Sequence, residues 1–159
     1  MTWLVFTASV LVVICVGLSL ALSIVDARTR RLPNRLVLAL AVAAGGLAAT
    51  ASLDAGSPAP LYGAVVTGAA LFGLSYLLYC AGGGIGGGDV KLAGAVGVLT
   101  GPSGWPHPFL AIALGFVAAG VVATALIALR RADRTTRIPF GPFMLGGAWV
   151  ALGWSVFAG

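Results

Sequence analysis

The sequence predicts an all-α integral membrane protein: a bundle of about six transmembrane helices with both termini extracytoplasmic, forming a single polytopic domain over residues 1–159. Three observations carry this expectation. The chain is 60% hydrophobic and only 8% charged, with a mean hydropathy of +1.08, whereas about a quarter of the residues in a soluble domain are charged. Apolar runs recur along its whole length and leave no room for a soluble domain, all but one approaching the roughly 20 helical residues that cross ~30 Å of hydrocarbon. The basic residues fall only in alternate connections between those runs, the pattern that orients a polytopic chain.

The first run, residues 3–25, is too long for a signal-peptide core, lacks a basic leader and ends in arginines instead of a small-residue cleavage site, so it reads as a retained span. Arg28, Arg30, Arg31 and Arg35 follow it. Runs at 36–53 and 61–81 come next, joined by the uncharged-to-acidic connection "DAGSPAP". The fourth run, 90–100, carries Lys91 near its start and is too short to span alone at ~1.5 Å per residue. It is expected to be extended by its glycine-rich flanks or tilted within the bundle. Runs at 109–129 and 140–158 complete the set, separated by Arg130, Arg131, Arg134 and Arg137; "GPSGWPHP" before the fifth run has no basic residue. The three basic connections are therefore cytoplasmic, and an odd number of helices would spoil the alternation. The net charge of +5 sits in these orienting loops, which can also hold anionic headgroups, so membrane lipid is an expected partner and nucleic acid is not. Cys15 and Cys80 stand singly inside apolar runs, which supports neither a disulfide nor a zinc site and reads as buried free thiols.

All four acidic residues are aspartates. Asp54 lies in an outer loop beside Gly and Pro, and Asp133 among arginines; both read as turn or charge-balancing residues. Asp26 differs, because it follows directly on "LSLALSIV" at the cytoplasmic end of the first helix, where the helix dipole disfavours a carboxylate. Asp89, at the start of the fourth helix, reaches the same membrane boundary by the alternating topology. An ionisable group at that depth is costly and is a functional candidate when it faces the bundle interior. Two carboxyls sharing a water would hold one proton between them, giving a base to take a proton from the water and an acid to polarise a carbonyl and protonate a leaving amine. That is aspartyl peptide hydrolysis. A serine or cysteine nucleophile would lack a base, since the single histidine, His107, falls between prolines on the outer side. No metal and no cofactor is expected, because histidine and glutamate clusters are missing.

"GGGIGGGDVKL" at residues 82–92 admits other readings. A dinucleotide fingerprint would need a preceding strand, and a P-loop would need G-K-[ST], where this chain has Gly88, Asp89, Val90 and Lys91. A flexible interhelical hinge explains the glycines but not the aspartate. A sharper expectation is that Gly86 and Gly88 turn the backbone tightly and bring Asp89 to the first position of the fourth helix, where the dipole favours its ionised form.

These residues resemble the type IV prepilin peptidases, GxGD-type aspartyl peptidases of the bacterial membrane. Gly86, Gly87, Gly88 and Asp89 with Lys91 and Leu92 match the family's G-x-G-D-x-K-L. "DARTRRLPNRL" places Asp26 shortly before Pro33, Asn34 and Leu36, with leucine for the usual isoleucine of I-P-N-x-L. "RIPFGPFMLGGAW", Arg137 to Trp149, is similar to the entry to the family's last helix. The resemblance implies that Asp26 and Asp89 are catalytic and that Gly86, Gly88, Lys91, Pro33 and Asn34 support them. It also implies a prepilin or pseudopilin substrate, cleaved at the cytoplasmic face of the bacterial inner membrane. The paired C-x-x-C domain of larger members is missing, so the chain looks like the compact form found with Tad/Flp pilus systems, and methyltransferase activity is not carried over.

Pro33 and Asn34 suit a helix start, as a fixed φ and a capping amide. Lys91 is about 200° around a helix from Asp89 and is expected to reach lipid headgroups. Pro139, Gly141 and Pro142 are expected to shape the entry to the last helix. Trp3, Trp149 and Trp154 read as core or interface anchors. The alternative from another class is a small transporter or ion-binding subunit whose glycine-broken helix and buried aspartates hold a cation or proton. Oligomeric state leaves no mark in the sequence.

Overall fold

The first apolar run folds as one 28-residue helix, α1 (Thr2–Thr29), in the computed structural model, which describes residues 2–82, 84–130 and 139–158. It is followed by α2 (Asn34–Asp54), α3 (Ala59–Cys80), α4 (Gly87–Thr100), a 3-10 turn at Gly101–Ser103, α5 (His107–Ala128) and α6 (Gly141–Ala158). The described residues contain these six α-helices and no strand. Four of them, α1, α2, α3 and α5, are long and apolar enough to cross a membrane.

Several helices outrun the apolar runs that announced them, because backbone bonding continues where hydropathy fades. α1 passes Asp26 and ends where Arg30 turns to φ 52 and its N–H reaches the Asp26 carbonyl at 2.8 Å. Before that the Thr29 hydroxyl bonds back to the Val25 carbonyl at 2.8 Å. His107, which precedes the fifth apolar run, is the first residue of α5. Cys15 is buried, but Cys80 is exposed at the end of α3.

The short α4 lies at the centre. Eight of its 14 residues are buried, among them Val90, Leu92, Val96 and Leu99, and it packs on α2, α3, α5 and α6. About 21 Å of helix is enough for such an element, because its middle and its C-terminal end are buried in protein and its first turn opens on a hollow instead of on lipid. Glycine makes the contact with α3 close: a Cβ on Gly97 would lie 2.5 Å from the Thr67 carbonyl oxygen and 2.7 Å from the Gly68 Cα. The Thr67 hydroxyl bridges the two helices, 2.7 Å from the Gly97 carbonyl and 2.6 Å from that of Gly63. On the other side Gly115 of α5 lets the backbone of α6 approach, since a Cβ there would lie 3.0 Å from the Met144 Cα.

The core of Leu22, Leu40, Leu92, Val96 and Leu145 is matched by large apolar side chains facing outward, including Trp3, Phe6, Val13, Leu38 and Tyr62. So much exposed apolar surface is untenable in water and suits a lipid-covered bundle.

Candidate active site

The buried residues of α1 are Cys15, Ser19, Leu22 and Asp26, spaced by four, three and four. That spacing is one helical face, so the stripe that packs α1 into the bundle also carries Asp26 inward. The side chain is 5% exposed. A carboxylate so enclosed needs donors, and one is the N–H of Gly141, 2.9 Å from Oδ2. Gly141 is the first residue of α6, so this amide is one of those a helix leaves free at its N-terminus, where the dipole is positive. The approach depends on glycine: a Cβ at position 141 would lie 2.8 Å from Oδ2 and 3.3 Å from Cγ of Asp26.

Asp89 is half-buried in the first turn of α4. Its Oδ2 accepts the N–H of Gly86 at 3.2 Å, the carboxylate half of a capping box. The expected start of this helix needs correction. α4 begins at Gly87, so Asp89 is its third residue and not its first. The left-handed turn falls at Gly82 (φ 74) and Gly84 (φ 73), whereas Gly86 is extended at φ −75, ψ 147. Gly86 therefore serves as the helix cap whose amide meets Asp89. Gly88 serves close packing, since a Cβ on it would lie 3.1 Å from Cβ of Leu32.

That contact docks the α1–α2 link onto the glycine run. Pro33 caps α2 with φ −64, ψ 123 and its carbonyl accepts from the N–H groups of Leu36 and Val37. Asn34 makes no cap bond with its side chain, contrary to the capping role read for it. Its Oδ1 instead accepts from Nζ of Lys91 at 2.9 Å. The lysine, expected to point toward headgroups, thus reaches round α4 to α2: its flexible four-carbon stem overrides the angular argument.

Asp26, Arg30, Asn34, Gly88, Asp89 and Lys91 all line one open hollow of about 370 Å³. Two carboxyl groups and a rim of cations therefore share a space that water can enter, at the end of the bundle where α1 stops and α4 and α6 begin. Asp89 is also a wall of a second hollow of about 350 Å³, apolar in character, with Ile85, Phe116, Gly120, Ala123 and Phe140. The sequence reading had no claim on α5 here, because none of these residues is polar. His107 lines neither hollow; its Nδ1 is 3.1 Å from the Gly104 carbonyl. Arg131, Asp133, Arg134 and Arg137, part of the basic connection before α6, lie outside the described residues.

The comparisons with known proteins point the same way as the motifs. A family model described as the type IV leader peptidase family matches residues 4–129. The chain is 36% identical over 137 residues to a prepilin leader peptidase/N-methyltransferase of Stutzerimonas stutzeri, covering 85% of this chain and 46% of the relative. It is 34% identical over 140 residues to a protein of the same description from Pseudomonas aeruginosa, again covering 85% of this chain and 46% of the relative. The chain thus spans about half the length of the curated relatives it matches. No solved structure matches it.

Proposed function

The chain belongs to the type IV leader peptidase family, and on that footing we propose that it is a membrane aspartyl endopeptidase that removes the basic leader from prepilins or pseudopilins, Flp-like ones among them. The observation that carries the proposal is that Asp26 and Asp89, from two different helices, line one hollow, each with an oxygen on a main-chain N–H.

In this reading Asp26 and Asp89 are the catalytic pair, and the chain is a single polytopic peptidase domain in the bacterial cytoplasmic membrane. Both termini are extracytoplasmic and the aspartates open toward the cytoplasm. One carboxylate takes a proton from water as its oxygen adds to the scissile carbonyl carbon; the protonated partner donates a hydrogen bond to the carbonyl oxygen. Collapse of the tetrahedral adduct breaks the C–N bond, and the amine leaves with a proton from the acid. Coupled carboxyls behave as one titrating unit, so the roles belong to the pair. The Gly141 and Gly86 amides hold the two carboxyls in place. The Lys91–Asn34 bond ties α2 to α4 beside them, and the Leu32–Gly88 contact ties the α1–α2 link to the same helix.

The test is co-expression with candidate prepilins carrying a C-terminal tag, comparing wild type, Asp26→Asn and Asp89→Asn by mass shift in membranes. Wild type should release the leader, and each variant, at normal abundance, should leave it uncut. Cleavage by both variants would sink the paired-carboxylate mechanism. A wild type that cuts none of the prepilins would sink the peptidase assignment and favour ion binding at the same aspartates.

A further inference from the structure

The hollow that Asp26 and Asp89 share is also lined by three cations, Arg30, Arg31 and Lys91. Positive charge is therefore in excess there, and the excess grows when the carboxyl pair keeps the one proton its chemistry needs. Arg30 and Arg31 directly follow α1, whereas Lys91 belongs to the second turn of α4, so two separate stretches of chain supply them. Nζ of Lys91 lies 2.9 Å from Oδ1 of Asn34, a neutral acceptor that engages one of the ammonium's donors and cancels none of its charge. The segment to be removed is itself basic in the reading above, so these residues repel its side chains and are not explained by them. The rim calls for an anion.

We propose that Arg30, Arg31 and Lys91 form a product site that takes the new carboxylate of the cut leader. The inference rests on the peptidase reading above and deepens it. In the net reaction the oxygen of one water joins the leader's carbonyl carbon and the C–N bond breaks. Both hydrogens of that water pass to the nitrogen of the mature chain, leaving a carboxylate on one product and an ammonium on the other. The carboxylate is formed beside Asp26 and Asp89, one of which must be ionised to act as the base, so like charges meet unless cations are at hand. The three cations are exposed at the rim, whereas Asp26 is buried, so an anion passing from the carboxyls to the cations moves outward. The rim thus clears the aspartates for the next water, and it distinguishes a cut leader from an uncut one, which has a neutral amide at that position. A single exposed ion pair is worth a factor of about five at most, and several on one carboxylate about tenfold. Arg35 belongs to the same basic stretch but lines a separate apolar groove with Leu11, Leu38 and Val42, so it has no part in the site.

The experiment measures, by fluorescence anisotropy, how tightly the detergent-purified full chain binds a labelled synthetic leader that ends at the scissile position in either a carboxylate or a carboxamide. This reads affinity whether or not a variant turns over. Wild type should bind the carboxylate form about tenfold more tightly, and the preference should shrink as salt is added. Lys91→Gln and Arg30→Gln should each lose about two- to threefold of it, and the triple variant Arg30→Gln/Arg31→Gln/Lys91→Gln should bind both forms alike. Arg35→Gln removes one charge outside the hollow and should keep the wild-type preference. Melting temperatures check that the variants are folded, and the single variants decide the matter if the triple one is not. Equal binding of the two forms by wild type, a preference that survives in the variants of the rim, or one that falls as far with Arg35→Gln would overturn the product site; cleavage of a tagged prepilin by the same preparation would leave the peptidase assignment standing. Loss of the preference when phosphatidylglycerol is added to the micelles at constant ionic strength would give the cations to lipid headgroups and overturn the product site as well. A wild type that cleaves no prepilin at all overturns the assignment itself, and the product site with it.

Discussion

Gly141→Ala is the sharpest probe of how Asp26 is held. The added methyl would sit 2.8 Å from Oδ2 and 3.3 Å from Cγ, and relief to an ordinary contact takes a shift of roughly 0.5 Å. The carboxylate is the free end of a side chain, so it moves and the helices do not. The same shift stretches the 2.9 Å bond from the Gly141 amide to about 3.4 Å, beyond the range in which N–H···O bonds are strong. Losing a charge-assisted bond is worth about 1.5–3 kcal/mol, and productive catalytic geometry tolerates only about 0.5 Å. Cleavage should fall by roughly ten- to a hundredfold, in kcat more than in KM, while stability falls by only about 1–2 kcal/mol because alanine's better helix propensity offsets part of the lost bond. The control is Gly146→Ala on the same helix, where a Cβ meets nothing within 4 Å. Leader removal from a tagged prepilin, timed in membranes of equal enzyme content, reads the difference. A Gly141→Ala enzyme within twofold of wild type, or a Gly146→Ala enzyme equally impaired, would refute the idea that the start of α6 positions Asp26.

Asp26→Asn keeps an acceptor for the Gly141 amide, so its melting temperature should stay within a few degrees of wild type while cleavage falls by about 10²–10⁴-fold, the scale of general acid–base catalysis; a large loss of stability instead would mark the residue as structural. Gly97→Ala should destabilise by about 1–3 kcal/mol through overpacking against the α3 backbone, whereas Gly45→Ala, with open space around it, should be neutral or gain up to about 1 kcal/mol, both measured as thermal shifts in detergent. Lys91→Met and Asn34→Ala should couple by roughly 0.5–1 kcal/mol in a double-mutant cycle on stability, and additive effects would argue against the 2.9 Å bond between them.

That Asp26 and Asp89 come to one hollow was legible in the sequence for a physical reason. A bilayer makes charge costly, so a carboxylate at the end of an apolar run must have an offsetting use, and only four acidic residues compete for attention in this chain. The turn glycines were legible as a group but not one by one. A run of glycines says that the backbone needs freedom or room somewhere; whether the need is a positive φ, as at Gly84, or a neighbour's proximity, as at Gly88 under Leu32, depends on where α2 lies. Lys91 was misdirected because angle around a helix describes Cβ, not the end of a long side chain. The apolar half of the site was illegible for the converse of the reason that exposed the aspartates. Phe116, Gly120 and Ala123 are what any membrane helix contains, and shape at constant hydropathy carries no signal in a single chain. It becomes visible only when Gly115 seats α5 against Met144 of α6, which brings Phe116 onto Phe140 and sets Gly120 on the hollow that Asp89 also lines. In such a hollow the charged walls are written in residue types, and the apolar walls only in how closely two apolar helices are allowed to pack.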